Sequence, residues 1–343
     1  PKAGPAVHLH LQQLTPLLSL SRFKMSIYQK TAFFIKGRLQ FTNGGYAKAA
    51  KSFHPEDTKK DVSDQVFMVT GANSGLGKAA AIAIAKNGGE VHMVCRNLER
   101  ANQAKEDIVK ESGNSNITVH VLDISNTKEV YEFAKNFSSN HEKLNVLVNN
   151  AGCMVNDRKT TEVGNLELNF ATNTVGTYVL TQELVPLLLK STKPRVITVS
   201  SGGMYTQKLN VKDLQSEKGT FSGDMAYAQQ KRQQVILTEE WAKMHPDIHF
   251  SAMHPGWADT PAVRTSMPGF YEYMKDNLRT AEQGADTIVW LSVSDAALAQ
   301  PSGLFFLDRK AVPTHLALAW TRESAEDRNT FLTKIAEIAN QFK

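Results

Sequence analysis

Cysteine is nearly missing: Cys95 and Cys153 are the only two in 343 residues. They form no C-x-x-C and no other metal-ligand spacing. That excludes a disulfide framework and implies a reducing compartment. No run reaches the roughly 18 consecutive apolar residues of a membrane span, so no transmembrane helix is expected. Dense Lys/Arg blocks are missing too. The net charge of +5 and pI near 9.0 therefore describe a mildly basic chain with no nucleic-acid footprint. His245, His249 and His254 lie near one another in the chain, but strand spacing sends His249 and His254 to opposite faces. No metal site is expected. A secretory signal is absent as well: residues 1–24 place their Leu-rich part before Arg22 and Lys24, the reverse of a signal's order. Met25 reads as a natural start, and 1–24 as an upstream or transit-like extension expected to be disordered. These absences imply an intracellular protein, cytoplasmic or peripheral on an organelle membrane.

What remains is ordinary globular composition, 41% hydrophobic and 21% charged, with ample length for a buried core. Residues 25–65 form a basic leader. Its stretch MSIYQKTAFFIKGRLQF sets Ile27, Tyr28, Phe33, Phe34, Ile35, Leu39 and Phe41 among Lys30, Lys36 and Arg38. Two readings stay open for 25–53: an amphipathic helix on a membrane surface, or a helix packed on the main domain.

From residue 66 apolar runs alternate with amphipathic helices. Strands are expected over 65–70, 90–95, 117–123, 144–150, 195–201, 248–254 and 303–308. Helices are expected between them, including 163–191 and 224–245. Continuous Val/Ile runs suit strands buried on both faces. Repeated β-α units imply right-handed crossovers and an α/β fold: a doubly wound (Rossmann) parallel sheet of about seven strands with helices on both faces. No linker or repeat breaks 66–310, which reads as one domain. Residues 311–343 read as a C-terminal helical extension.

The first strand runs into TGANSGLGKAA, which places Gly71, Gly75 and Gly77 between a strand and a helix. Glycine lets backbone turn sharply and approach a pyrophosphate, and the following helix offers free N–H groups. A phosphoryl-transfer loop needs G-x-x-x-x-G-K-[ST], and Ala72 and Ala79 break both ends of it. The second strand ends at Arg96, where an NAD site would carry an acid. An Arg suits a 2′-phosphate, which favours NADP(H) over NAD(H). The alternative is that Arg96 is simply exposed. Ser74 adds no charge to this preference.

YAQQK sets Tyr227 and Lys231 one helical turn apart. Taken alone, such a pair is most often a solvated helix face. In company with TGANSGLG, Asp123, NNAG (149–152), Asn173, Ser201 in VITVSSGG and HPG (254–256), in this order over about 66–310, the chain resembles the short-chain dehydrogenase/reductase family. Its retinol-dehydrogenase-like branch is the closer likeness, carried by SSGGM, DLQSE, HPGWADTP and the leader. The long insert between Ser201 and Tyr227 also suits that branch.

The resemblance implies a set of roles. Tyr227 is the general acid in carbonyl reduction and the base in alcohol oxidation. The Lys231 ammonium is expected to draw the phenol's pKa down from near 10. Ser201 orients the carbonyl oxygen, and Asn173 holds a water linking the lysine to solvent. On the cofactor side, Gly71, Asn73, Ser74, Gly75, Leu76 and Gly77 face the pyrophosphate and Arg96 the 2′-phosphate. Asp123 lies near the adenine, and Asn150, Ala151 and Gly152 pass beside ribose and nicotinamide. Tyr227 and Lys231 also border the cofactor, and Pro255, Gly256 and Thr260 flank the nicotinamide. Thr70 reads as a brace for the turn, while Cys153 and Met154 read as packing residues. Residues 258–277 carry Met267, Phe270, Tyr271, Tyr273 and Met274. They read as a lid over an apolar pocket, or else as a surface loop-helix. The implied substrate is a hydrophobic carbonyl compound or alcohol, lipid-like and of retinoid or steroid class by the branch alone. A homodimer is implied by analogy. A non-catalytic NADP(H)-binding sensor or scaffold is the alternative.

Overall fold

The computed structural model describes residues 28–343. The extension expected over 1–24 and the first residues of the leader lie outside them. The chain opens with helix α1 over 28–40 and α2 (Asn43–Ala50). The sheet then begins: β1 (Val66–Thr70), α3 (Gly75–Lys86), β2 (Glu90–Cys95), α4 (Leu98–Ser112), β3 (Ile117–Val121), α5 (Thr127–Asn140) and β4 (Val146–Asn149). There follow α6 (Leu168–Phe170), a π-helical Ala171–Gly176, α7 (Thr177–Leu188), β5 (Arg195–Val199), α8 (Gly223–Met244) and β6 (His249–Met253). Short α9 (Pro261–Ser266) and α10 (Pro268–Met274) precede α11 (Ala281–Val293), α12 (Asp295–Leu298), β7 (Leu304–Leu307), β8 (Lys310–Ala311) and α13 (Ala325–Asn340).

The strand order is β3-β2-β1-β4-β5-β6-β7-β8, parallel throughout except for β8 against β7. β1 shows why the sheet must be covered twice. Phe67 and Val69 join the core under α3, α4 and α11, whereas Val66 and Met68 join the core under α5, α7 and α8. Alternate residues of a strand face opposite sides, so an unbroken apolar run needs two helical layers. The strand order reverses at the parallel β1/β4 pair, with β2 and β3 added on one side and β5 to β7 on the other, and the crevice at their carboxyl ends is where such sheets hold ligands.

Three details differ from the sequence reading. The helix expected over 163–191 begins only at Leu168. Gly164 and Asn165 take left-handed backbone, and the Glu167 carboxylate starts the helix by accepting the N–H groups of Asn169 and Phe170. An eighth strand follows β7 through a turn at Asp308 and Arg309, both with positive φ, the geometry of a tight hairpin. Two residues are too few to leave a pattern in sequence. Finally, α13 buries Phe331 and Ile335 in the same core as α7 and α8.

Of the two readings of the leader, α1 takes the packed one. Phe33 and Phe41 turn inward onto Trp257, and Gly37 lies so close to that indole that a Cβ would stand 2.2 Å from its ring. Among the described residues no helix is long and apolar enough to cross a membrane.

Candidate active site

The crevice is built from the ends of β1 and β4. The Thr70 hydroxyl accepts the backbone N–H groups of Asn150 (2.9 Å) and Ala151 (2.8 Å), so it ties the two strand ends together as a brace. The Asn150 amide donates back to the Thr70 carbonyl at 2.8 Å. Gly71 and Gly75 have φ of 67° and 52°, conformations that a side chain rarely adopts. A Cβ on Gly77 would stand 2.4 Å from the Gly71 carbonyl oxygen. The loop therefore stays tight and leads straight into α3, whose first N–H groups face the crevice. Ser74 occupies the N-cap of α3 without its hydroxyl capping the helix.

Around this loop the expected cofactor residues other than Gly77, which is buried against Gly71, line one cavity of about 840 Å³. Asn73, Leu76 and Arg96 line it. Arg100, one turn along α4, lines it too and was not read from the sequence. Its signal was available, because Asn97 caps α4 through the Arg100 N–H and fixes that turn. Both guanidiniums belong to exposed residues, and neither makes an ion pair among the described residues. Asp123 accepts from the Ser125 N–H and hydroxyl, both at 2.8 Å. After β6, Pro255 and Gly256 turn the chain back towards the glycine loop. A Cβ on Gly75 would stand 3.4 Å from the Thr260 methyl.

The chemical residues meet at the other end of the same cavity. Ser201 follows β5, and Tyr227 and Lys231 stand on α8 with the amine 5.3 Å from the phenol ring centroid. Gly152 permits the approach of two more groups: a Cβ there would lie 3.0 Å from Asn173 Oδ1 and 3.5 Å from Lys231 Nζ. Asn173 sits in the π-helical stretch, a local widening that often marks functional positions. Its side chain is buried, accepting from Cys153 N (2.9 Å) and donating to Cys153 O and Gln230 Oε1 (both 2.8 Å).

Lys231 was expected to draw the Tyr227 pKa down; here burial dominates and the net shift of the phenol is upward. Burial pushes the phenol up to about 12, with the Ser201 hydroxyl pulling it down and Cys153 adding to the rise. Burial brings the Lys231 amine down to about 7, opposed by Cys153. The physical reason is that both charged forms lose water here, and the amine's hydrogen bonds go elsewhere. Nζ donates to the Val199 carbonyl (2.8 Å) and to Gln234 Oε1 (2.9 Å), not to the phenol. Gln234 in turn joins Lys231 to Asn173: its Nε2 donates to the Asn173 carbonyl at 2.7 Å. Gln230 and Gln234 were missed because glutamine carries no signal of burial.

Beyond Tyr227 the cavity is apolar. Met154, Trp257, Met267 and Phe270 line it, and Phe33 and Phe34 reach it from α1. Phe270 packs edge-on against Trp257 at 5.2 Å. His254 is buried and lines the cavity, while His249 hydrogen-bonds the Gln300 carbonyl. These two neighbours in sequence have separate partners.

Residues 65–268 match the family model described as short chain dehydrogenase. The chain is 56% identical over 319 residues to Dehydrogenase/reductase SDR family member 12 of Bos taurus, covering 93% of this chain and 100% of the relative. It is 33% identical over 257 residues to Retinol dehydrogenase 12 of Homo sapiens, covering 74% of this chain and 80% of that one. In structure it is similar to a short chain dehydrogenase of Escherichia coli CFT073 complexed with NADPH. That likeness has a TM-score of 0.59 at 22% identity and covers 75% of this chain and 100% of the other. On the extent of the family match and the length of the shared sequence, this chain belongs to the short chain dehydrogenase family.

Proposed function

We propose that the protein is an NADP(H)-dependent oxidoreductase that interconverts a hydrophobic carbonyl compound and its alcohol. The observation that carries this reading is that Ser201, Tyr227 and Lys231 line the cavity that also holds the glycine loop, with Asn173 buried behind them. The residues fit a dinucleotide with a 2′-phosphate. The loop leaves no room for side chains where backbone must approach phosphate. Arg96 and Arg100 bring positive charge to the end of β2, with no acid there. NADP(H), when bound, supplies or accepts the hydride.

The chain's own residues handle the proton. With a pKa near 12, Tyr227 keeps its proton at neutral pH and can give it to a carbonyl oxygen held by the Ser201 hydroxyl. In the oxidative direction the ionised phenol receives the alcohol's proton, and Lys231, whose charge changes near neutral pH, stands 5.3 Å from its ring. Gln234 and Asn173 keep that amine in place. The apolar walls beyond Tyr227 favour a lipid-like or aromatic body over a sugar.

NADPH consumption with a panel of hydrophobic aldehydes and ketones tests the reading. Wild type should turn over some members, and Tyr227→Phe should turn over none at a comparable rate while still binding NADPH. Equal inertness of both proteins across a broad panel, with NADPH binding intact, would favour the sensor or scaffold alternative.

The outer side of α1 supports peripheral membrane contact. Ile35 and Leu39 are 55% and 69% exposed. Residues 28–55 carry Lys30, Lys36, Arg38, Lys48 and Lys51, with no acid before Glu56. An apolar stripe flanked by cations suits an anionic lipid surface. Flotation with anionic vesicles tests it: Ile35→Ser/Leu39→Ser should lower recovery in the lipid fraction. Equal recovery would remove the idea.

A further inference from the structure

Helix α1 precedes the stretch that matches the family, which begins at residue 65. Yet it is joined to the active-site cavity along its whole inner side. Phe33 and Phe34 line the cavity. Phe34 lies 6.1 Å from Trp257 and 6.4 Å from Tyr273 on α10, ring centre to ring centre. Arg38 reaches the Met274 sulfur at 3.2 Å. At the end of α1, Phe41 is fully buried and packs edge-on against His254 at 4.4 Å. A Cβ on Gly202, the residue after Ser201, would lie 3.1 Å from the Phe41 ring.

The attachment is fixed by a buried cation. Arg279 is 1% exposed and donates to the carbonyls of Gln40 (2.7 Å), Phe41 (3.1 Å) and Thr42 (3.3 Å). It also donates to Pro255 O (3.2 Å) and to both oxygens of Asp308 (2.6 and 2.9 Å). The last carbonyls of a helix have no partners within it, and the helix dipole favours a cation there. One side chain thus locks α1, the segment after β6 and the end of β7 together.

We infer that α1 is a wall of the substrate pocket, and that Phe34, backed by Trp257, selects substrates by the length of the apolar tail they carry away from the reacting carbonyl. This deepens the oxidoreductase reading and rests on it. Among the described residues no hydrogen bond joins α1 to Ser201, Tyr227 or Lys231. Its contribution therefore falls on the body of the substrate rather than on the carbonyl. Each methylene that reaches an apolar wall gains roughly fourfold in binding, so the preference should climb along a homologous series once the tail arrives at α1.

The test is a series of straight-chain aldehydes from butanal to dodecanal, read as kcat/KM with NADPH. Binding of the matching alcohols is read in parallel by calorimetry. In the wild type both should rise with length over the longer members. Phe34→Ala should leave the shortest members unchanged and cost the longest about tenfold, with NADPH affinity unaltered. Gly37→Ala, which forces α1 away from the Trp257 ring, should flatten the same end of the series. Thr31→Ala, at an exposed position of the same helix, should leave the length profile unchanged. A uniform loss across all lengths in Phe34→Ala, or an unchanged profile in both inner variants, would overturn the inference. If no aldehyde is turned over by wild type, the oxidoreductase reading falls. The alcohol-binding series then still decides the wall: length-dependent binding that Phe34→Ala flattens supports it, and length-independent binding refutes it.

Discussion

The two ends of the cavity are made of different material. The cofactor end is mostly backbone: positive φ at Gly71 and Gly75, the close pass at Gly77, and the N-terminus of α3. Its parts lie within a few residues of one another. The substrate end is mostly side chain, and its aromatic groups come from positions as far apart as Phe33 and Phe270. Local backbone geometry tolerates few alternatives, so it leaves a short motif. A wall assembled from distant segments needs only bulk and shape at each point, and many residues supply those. Between the two ends stand a phenol and an amine whose charged forms are both disfavoured by burial.

The comparison breaks first at Tyr227. Tyr227→Phe removes the proton donor while leaving both ends of the cavity intact. It should lower kcat about 10²–10⁴-fold with little change in NADPH affinity, read by steady-state kinetics and fluorescence titration. A matching loss of NADPH binding would mean that the phenol serves the cofactor end instead. Next comes Arg96→Asp, which should act on the cofactor end alone. The affinity ratio of NADPH to NADH should fall about ten- to a hundredfold, the equivalent of roughly 1.5–3 kcal/mol for a lost charge-assisted hydrogen bond. The aldehyde length profile should not move. Unchanged relative affinities would show Arg96 to be merely exposed.

Gly77→Ala sharpens the contrast from the backbone side. Its Cβ must displace the Gly71 carbonyl, so stability should drop by roughly 1–3 kcal/mol and both cofactor forms should bind more weakly. A denaturant melt of the protein alone would check it. The last prediction concerns Lys231→Met, read as stability rather than rate. Folding moves the amine's pKa from 10.5 to about 7, so between those values the unfolded chain holds more protons than the fold. The site's contribution therefore rises with pH across that window and is lost as pH falls towards 7. The melting temperature of Lys231→Met should exceed that of wild type by a margin widest near pH 7 and narrowing towards pH 10. A constant margin would argue against a neutral amine.

Much of this molecule could be read before its structure. The parallel sheet followed from apolar runs at regular intervals, and β1 with its two buried faces shows why those runs are unbroken. The glycine loop was read from its own residues, and the group of Asn173, Ser201, Tyr227 and Lys231 from the resemblance to the family. What was not legible shares a cause. The direction of the Tyr227 shift depends on how much water reaches it, and the contact between Lys231 and Asn173 depends on where Gln234 points. Burial and orientation are tertiary properties. The same holds for α1, whose aromatic residues fit a membrane surface or a protein core equally well until Gly37 and Trp257 are seen together.

The clamp formed by Arg279 and Asp308 also bears on the order of events during synthesis. Helix α1 finds its seat only after the chain beyond β6 has been made, because Trp257, Tyr273 and Arg279 supply its partners, and contacts so distant in the chain form late. Nascent chains stalled before Trp257 should be cut by protease between Phe33 and Phe41, and chains released beyond Asp308 should resist. The opening helix of the described residues is thus among the last parts to settle.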